Sequence, residues 1–198
     1  MTSLAHGFFE WMNEPPTIVG LSYLPDFITA SDEAELLQWI DHQPWLTDLK
    51  RRVQHYGYRY DYKARTISHA LQLGALPDIL EHYADRLTGK IFAQKPDQVI
   101  VNEYLPGQGI SSHTDCIPCF GPTIASLSLG APCMMDFVGP NNERHAFLLD
   151  PRSFLILSDD ARYRWKHSIA ARKSDRIHGN TIKRGRRVSL TFRSVILA

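Results

Sequence analysis

Beyond Pro96 the chain is a close succession of short runs with strand character, and no other feature limits the fold as much. Eight runs are predicted as strands, near 98–105, 110–115, 123–129, 133–138, 145–149, 153–158, 165–169 and 187–196. Turn residues part them, at Pro106-Gly107-Gln108-Gly109, Gly139-Pro140-Asn141-Asn142 and Asp159-Asp160. Strands this short and this many bury their apolar faces by forming two facing sheets, a jelly roll (double-stranded β-helix) of the cupin kind. Before Pro96 the periodicity is helical. Residues 31–43 place Ala34, Leu37 and Ile40 at helical spacing behind a capping Ser31, with Asp32, Glu33 and Glu35 in the first turn. Residues 77–88 open on Pro77 and carry an apolar stripe of Ile79, Leu80, Tyr83 and Leu87. Both stripes predict ordinary core packing. The expected fold is α+β, mostly β, with the N-terminal helices packed on the outer face of one sheet. At 198 residues it is one domain, with helices and a lid over 1–95 and the jelly-roll core over 96–198.

No apolar run approaches the roughly 20 residues of a membrane helix. Met1 to Glu10 lacks the basic start and apolar stretch of a secretory signal. A cytoplasmic monomer with no membrane partner is the expectation, nuclear if the source is eukaryotic. Cys116, Cys119 and Cys133 are too few for a disulfide framework. Cys116 and Cys119 form a single C-x-x-C, a weak zinc signal, and are expected to be loop or core thiols. The net charge of +1 hides an asymmetry. From Arg162 onward eleven Lys and Arg face one acid, Asp175, whereas the preceding residues hold eleven bases and twenty acids. A basic end of this kind points to a polyanion partner or to a solvated basic loop.

His113-Thr114-Asp115 is the strongest local motif. Two residues apart on a strand, the imidazole and the carboxylate aim at one point. His167 lies on a later strand. Two histidines and one carboxylate can hold one face of an iron(II) ion and leave positions open. Alone, such a triplet is usually accidental. The final strand adds weight. Arg187, Ser189, Thr191 and Arg193 alternate with Val188, Leu190 and Phe192. An ordinary strand would turn its polar face to water; a jelly roll turns it inward. Arginines buried there require anionic partners. A dicarboxylic acid such as 2-oxoglutarate supplies a carboxylate at each end, which the planar guanidinium matches bidentately. Asn102 and Tyr104 are two apart on the strand before the metal strand, and the Pro106–Gly109 turn folds them back beside His113.

Together these segments resemble the AlkB family of iron(II)- and 2-oxoglutarate-dependent dioxygenases. The family pattern of N-x-Y-x-P-G, H-x-D, a later histidine and R-x5-R is matched by Asn102–Gly107, His113–Asp115, His167 and Arg187–Arg193. The match covers residues 98–196, about half the chain. The resemblance implies that His113, Asp115 and His167 ligate iron. It implies that Arg187, Tyr104 and Ser189 hold the distal carboxylate of 2-oxoglutarate, and that Arg193 and Asn102 hold its metal-chelating end. The implied reaction uses Fe(II), 2-oxoglutarate and O2. It dealkylates N-alkylated bases in DNA or RNA, releasing formaldehyde, succinate and carbon dioxide. The alternative is stable hydroxylation of a modified tRNA base side chain or of a protein.

The resemblance also places a nucleotide-recognition lid at His55–Tyr62, where Tyr56 or Tyr58 is expected to stack on a base. Arg162, just ahead of the third ligand, is expected to face the base or a phosphate, and 172–186 to form a basic loop beside the mouth. One departure stands out. Repair members of the family carry a second acid two residues after the metal aspartate, where this chain has Ile117. The segments His55–Tyr58, Lys95–Gln98, Ser126–Gly130 and Met135–Phe137 look closer to the family branch that hydroxylates a modified wobble uridine in tRNA.

Overall fold

The computed structural model describes residues 15–177 and 179–197; the signal-peptide reading of Met1 to Glu10 lies outside them. The major sheet has six strands in the order β1-β8-β5-β12-β3-β2. They run over Leu21–Leu24 (β1), Phe154–Leu157 (β8), Phe120–Gly130 (β5), Arg187–Val195 (β12), Gln98–Tyr104 (β3) and Val53–Tyr56 (β2). The minor sheet has four, in the order β4-β9-β6-β7, over Ile110–His113, Lys166–Ile169, Cys133–Val138 and Arg144–Leu149. Every strand pairing is antiparallel. This is the mostly β jelly roll expected from the sequence.

The helices lie where the apolar stripes require. Helix α1, Ala30–Asp41, starts one residue before the predicted range. Its cap is Thr29 rather than Ser31, because Asp32 lies three residues beyond it. Asp32 N–H donates to Thr29 Oγ1 at 3.1 Å and Thr29 N–H to Asp32 Oδ2 at 2.9 Å. Helix α2 is Asp78–Leu87, with Pro77 immediately ahead of it. Leu36 and Ile40 of α1 and Leu80, Tyr83, Ala84 and Leu87 of α2 pack on the outer face of the major sheet.

Strand β12 separates this outer core from the barrel interior. Val188, Leu190 and Phe192 are fully buried in the outer core. At about 1.5–3 kcal/mol for each such side chain, they fix the register of the strand. A slip of one residue would move them into the barrel and send Arg187 and Arg193 into the apolar layer.

Five elements depart from the sequence-based expectation. Strands β1 and β2 fall within the stretch assigned to helices and lid, and extend the major sheet at both edges. Asp159-Asp160 starts a short helix, α3 (Asp159–Tyr163), instead of a simple turn. The basic 172–186 segment is a hairpin, β10 (Ser174–Ile177) with β11 (Asn180–Lys183).

Candidate active site

The two sheets enclose a cavity of about 400 Å³. Its lining includes His113, Asp115 and His167 together with Asn102, Tyr104, Arg187, Ser189 and Arg193. All eight residues expected to hold metal and cosubstrate therefore meet in one place. Their convergence follows from strand register. Asn102 pairs with Ser189, and Tyr104 with Arg187, across β3 and β12. His113 pairs with His167 across β4 and β9.

His113 and His167 face one another with ring centroids 4.4 Å apart. His113 Nδ1 lies 2.8 Å from the Ser111 carbonyl, so it carries the proton and Nε2 is left as a lone pair. His167 Nε2 lies 3.9 Å from Asp115 Oδ2. Burial, only partly offset by Asp115, pushes the His167 imidazolium down to about 4, so the ring is a neutral donor at pH 7. Burial alone would raise the Asp115 carboxyl. The charge of Arg193, with the two histidines and Arg162, outweighs burial and holds it well below the usual carboxylate range. Among the described residues no three His, Cys, Asp or Glu side chains stand together closely enough to hold a metal ion. Asp115 Oδ1 is turned to Arg193 instead.

Two buried atoms have no partner among the described residues, Arg187 Nε and Arg193 Nε. Arg187 is otherwise held by Ser128 Oγ at 2.8 Å, with Tyr104 beside its guanidinium. Arg193 reaches Asp115 Oδ1 at 2.8 Å and Gln98 Oε1 at 3.4 Å. An unpaired buried donor costs about 1–3 kcal/mol, more when charged. Both arginines line a cavity that also carries two imidazoles and a carboxylate. That donor set fits a small dicarboxylate and a divalent ion.

The substrate residues predicted from the sequence are placed differently. Arg162 is 1% exposed and does not line the cavity. Its guanidinium donates to the carbonyls of Asp115 (3.0 Å), Cys116 (3.2 Å), Phe120 (3.3 Å) and Gly121 (3.3 Å). It clasps the loop that carries Asp115, and faces no base. Tyr56 packs on Trp39 in the outer core and donates to Gln54 Oε1, on the wrong side of the sheet. Tyr58 sits against the inner apolar cluster without reaching the cavity wall. Tyr60 and Tyr62 line the mouth instead, with Arg51 and Arg65. The cause is Gly57, at φ +74°, where a Cβ would come within 1.8 Å of the Asp97 carbonyl. The chain leaves β2 there, so an alternation continued from Tyr56 points to the wrong tyrosines. Arg51, also missed, donates from Nε to Asn102 Oδ1 at 2.8 Å and faces Tyr104 and Tyr62. With its oxygen taken, Asn102 offers its amide NH2 as a donor.

Cys116 and Cys119 are not free thiols but a disulfide, buried beneath the lid where both sulfurs approach the Arg65 carbonyl. Cys133 is free and buried. Ile117, between the paired cysteines, is 49% exposed and outside the cavity lining. Part of the basic end is neutralised by acids. Arg184 is buried against Asp175 at 2.7 Å, and Arg186 bridges Asp41 and Glu103. Lys173, Arg176 and Lys183 remain exposed on or beside the hairpin.

A jelly roll with this cavity defines a class of oxygenase. The family model described as "2OG-Fe(II) oxygenase superfamily" matches residues 20–193, and the chain is an iron(II)- and 2-oxoglutarate-dependent dioxygenase that uses O2. Within that superfamily it belongs to the AlkB family: it is 30% identical over 212 residues to the Danio rerio "Probable RNA/DNA demethylase ALKBH6", covering 91% of this chain and 86% of that protein. It is 37% identical over 203 residues to the Arabidopsis thaliana "Alkylated DNA repair protein ALKBH8 homolog", covering 90% of this chain and 59% of that protein. It is 35% identical over 216 residues to the Macaca fascicularis "tRNA (carboxymethyluridine(34)-5-O)-methyltransferase ALKBH8", covering 94% of this chain and 32% of that protein. The chain thus spans less than two thirds of either ALKBH8 relative. The solved structure of OsALKBH1 shares the fold, with a TM-score of 0.66 at 17% identity over 88% of this chain and 96% of that one. No helix among the described residues is long and apolar enough to cross a membrane.

Proposed function

We propose that this chain oxidises an alkyl substituent on a nucleic-acid base, with dealkylation of N-alkylated DNA or RNA as the main reaction. His113, Asp115 and His167 would hold the iron. Arg187, Tyr104 and Ser189 would hold the distal carboxylate of 2-oxoglutarate, and Arg193 and Asn102 its other end. The observation that carries this assignment is the convergence of Arg187 and Arg193, two buried arginines each with an unpartnered Nε, on the cavity that also holds two histidines and Asp115. Bound there, iron(II), 2-oxoglutarate and oxygen supply the oxidising power, and the cosubstrate leaves as succinate and carbon dioxide.

The protein's own contribution is orientation and exclusion of water. The Ser111 carbonyl fixes the His113 tautomer, and Arg193 orients Asp115 through Oδ1. Tyr60 and Tyr62 provide aromatic walls for a base taken out of its stack. Where the oxidised carbon sits on nitrogen, the hydroxylated product breaks down to formaldehyde and the free base. The names of relatives support both substrate readings, since one is called an alkylated-DNA repair protein and another a tRNA-modification enzyme. Ile117, exposed where repair members of the family carry an acid, favours the second reading, stable hydroxylation of a tRNA base side chain.

The test is mass spectrometry of modified DNA and RNA oligonucleotides incubated with enzyme, Fe(II) and 2-oxoglutarate. Formaldehyde and a demethylated base are expected. A stable product heavier by one oxygen would select the second reading. Succinate formation that no modified oligonucleotide stimulates would remove nucleic acid as the substrate.

A further inference from the structure

A second cavity, of about 570 Å³, lies behind the mouth of the first. Leu49, Tyr60 and Tyr62 line both, so the two are back to back across one wall. The wall is aromatic and braced. Tyr60 and Tyr62 meet edge to face at 5.0 Å, Tyr60 lies 5.7 Å from Phe120 on the inner side, and Tyr62 lies 5.7 Å from His55 on the outer side. An aromatic series, Phe120, Tyr60, Tyr62 and His55, therefore runs from the inner cavity to the outer one. Leu46, Val53 and Leu71 supply apolar surface to the outer cavity, whose charged lining is balanced, with Arg59 paired to Asp48 at 3.6 Å and Lys63 beside Asp61 in the chain. The Tyr60 N–H donates to His55 Nδ1, so the remaining ring proton of His55 is on Nε2, a neutral donor suited to a base carbonyl.

Resting on the nucleic-acid reading above, we infer that the outer cavity is a subsite for the nucleotide next to the target base, and that the substrate is a single strand. Both cavities are large enough for a planar base, and both are lined by the same tyrosine pair. A base in each places Tyr60 and Tyr62 between two neighbouring nucleotides as a wedge. Neighbours so parted are unstacked, which costs little in a single strand and costs several kcal/mol in a duplex. Stacking on an aromatic face returns about 1–3 kcal/mol per base and tolerates any sequence. A free modified nucleoside would fill only the inner cavity and forgo the second contact.

The experiment compares steady-state oxidation of a single-stranded oligonucleotide carrying one N-methylated base with the same strand bearing an abasic site on either side of that base. It also uses Leu71→Trp, which fills the outer cavity from a position outside the catalytic one. An abasic neighbour on one side is expected to raise KM about 5- to 150-fold, the equivalent of one lost stacking contact, with kcat nearly unchanged. Leu71→Trp is expected to raise KM for the intact strand in the same way and to leave the KM for the one-sided abasic strand unaltered. The duplex form should be a poorer substrate than the single strand. If strands are oxidised with a KM indifferent both to neighbouring abasic sites and to Leu71→Trp, the subsite is refuted while the nucleic-acid reading stands. If no strand is oxidised or bound, both fall together.

Discussion

Arg193 Nη2 donates to Asp115 Oδ1 at 2.8 Å, so the charge at the cavity floor and the carboxylate beside the histidine pair form one ionic unit. Removing either partner affects folding as well as chemistry. Asp115→Ala is expected to abolish turnover of 2-oxoglutarate and also to lower stability by about 3–5 kcal/mol, because it strands a buried guanidinium. Asp115→Asn retains an oxygen for Arg193 and loses only the charge the ion needs. It should fold nearly as well and still fail to turn over. Denaturant titration beside succinate production separates the two effects. Normal succinate production in either variant would remove Asp115 from the metal site.

Arg187 is anchored by Ser128 and keeps Nε unpaired in the interior. Its truncation to Ala should weaken 2-oxoglutarate binding by about 10- to 150-fold, the range of a hydrogen bond to a charged group. Once the cosubstrate saturates, kcat should recover in large part. Apparent affinity from succinate formation and direct calorimetry should agree; an unchanged value by both methods would take Arg187 out of the cosubstrate site.

The basic residues divide into structural and free sets. Asp175 is 2% exposed and holds Arg184, itself buried, by paired hydrogen bonds of 2.7 and 2.8 Å. Burial opposes the charge of Asp175, and Arg184, Arg172 and the Met134 N–H overcome it, lowering the carboxyl. Asp175→Ala should cost about 3–5 kcal/mol. Replacing exposed Lys173, Arg176 and Lys183 by Gln should leave stability within about 0.5 kcal/mol. The same triple change should weaken oligonucleotide binding and flatten its salt dependence by up to about three units of slope. A slope equal to that of the parent would mean the hairpin is merely solvated.

The parts legible in the sequence were those where local pattern and long-range constraint agree. The alternation of Arg187–Arg193 is legible because period two holds without a break along β12, and the apolar half has a helix layer to meet. His113 was legible as a member of a strand that follows a Pro-Gly turn, Pro106–Gly109. Tyr56 and Tyr58 misled because one glycine with positive φ ends the strand between them, and alternation does not cross such a point. Arg162 misled because charge in a sequence carries no direction. Its guanidinium makes four hydrogen bonds to backbone carbonyls forty-odd residues away, an arrangement no local motif encodes. Arg51 was likewise a matter of tertiary approach, since it meets Asn102 fifty-one residues away.

His55 gives the fold a pH dependence that can be separated from the iron site. Burial, then the charges of Arg59, Arg193 and Arg51, push its imidazolium down to about 4 from an ordinary 6.5, against a small opposing pull from Asp48. Between those values the unfolded chain binds a proton that the folded protein refuses. Stability therefore rises with pH across that interval; it is fully present above 6.5 and is lost as pH falls towards 4. At pH 4.5 the loss from this one residue amounts to roughly 2–3 kcal/mol. His167 contributes in the same direction, so the wild-type profile alone does not isolate His55. Comparing wild type with His55→Gln, both free of metal, removes the shared part. Denaturant unfolding at pH 7 and pH 4.5 should show the wild type losing roughly 2–3 kcal/mol more than the variant. Protonation also takes the Nδ1 lone pair that receives the Tyr60 N–H, so hydrogen exchange at Tyr60 should quicken in the wild type over the same interval. Parallel losses in the two proteins would mean that His55 is not held neutral by the fold.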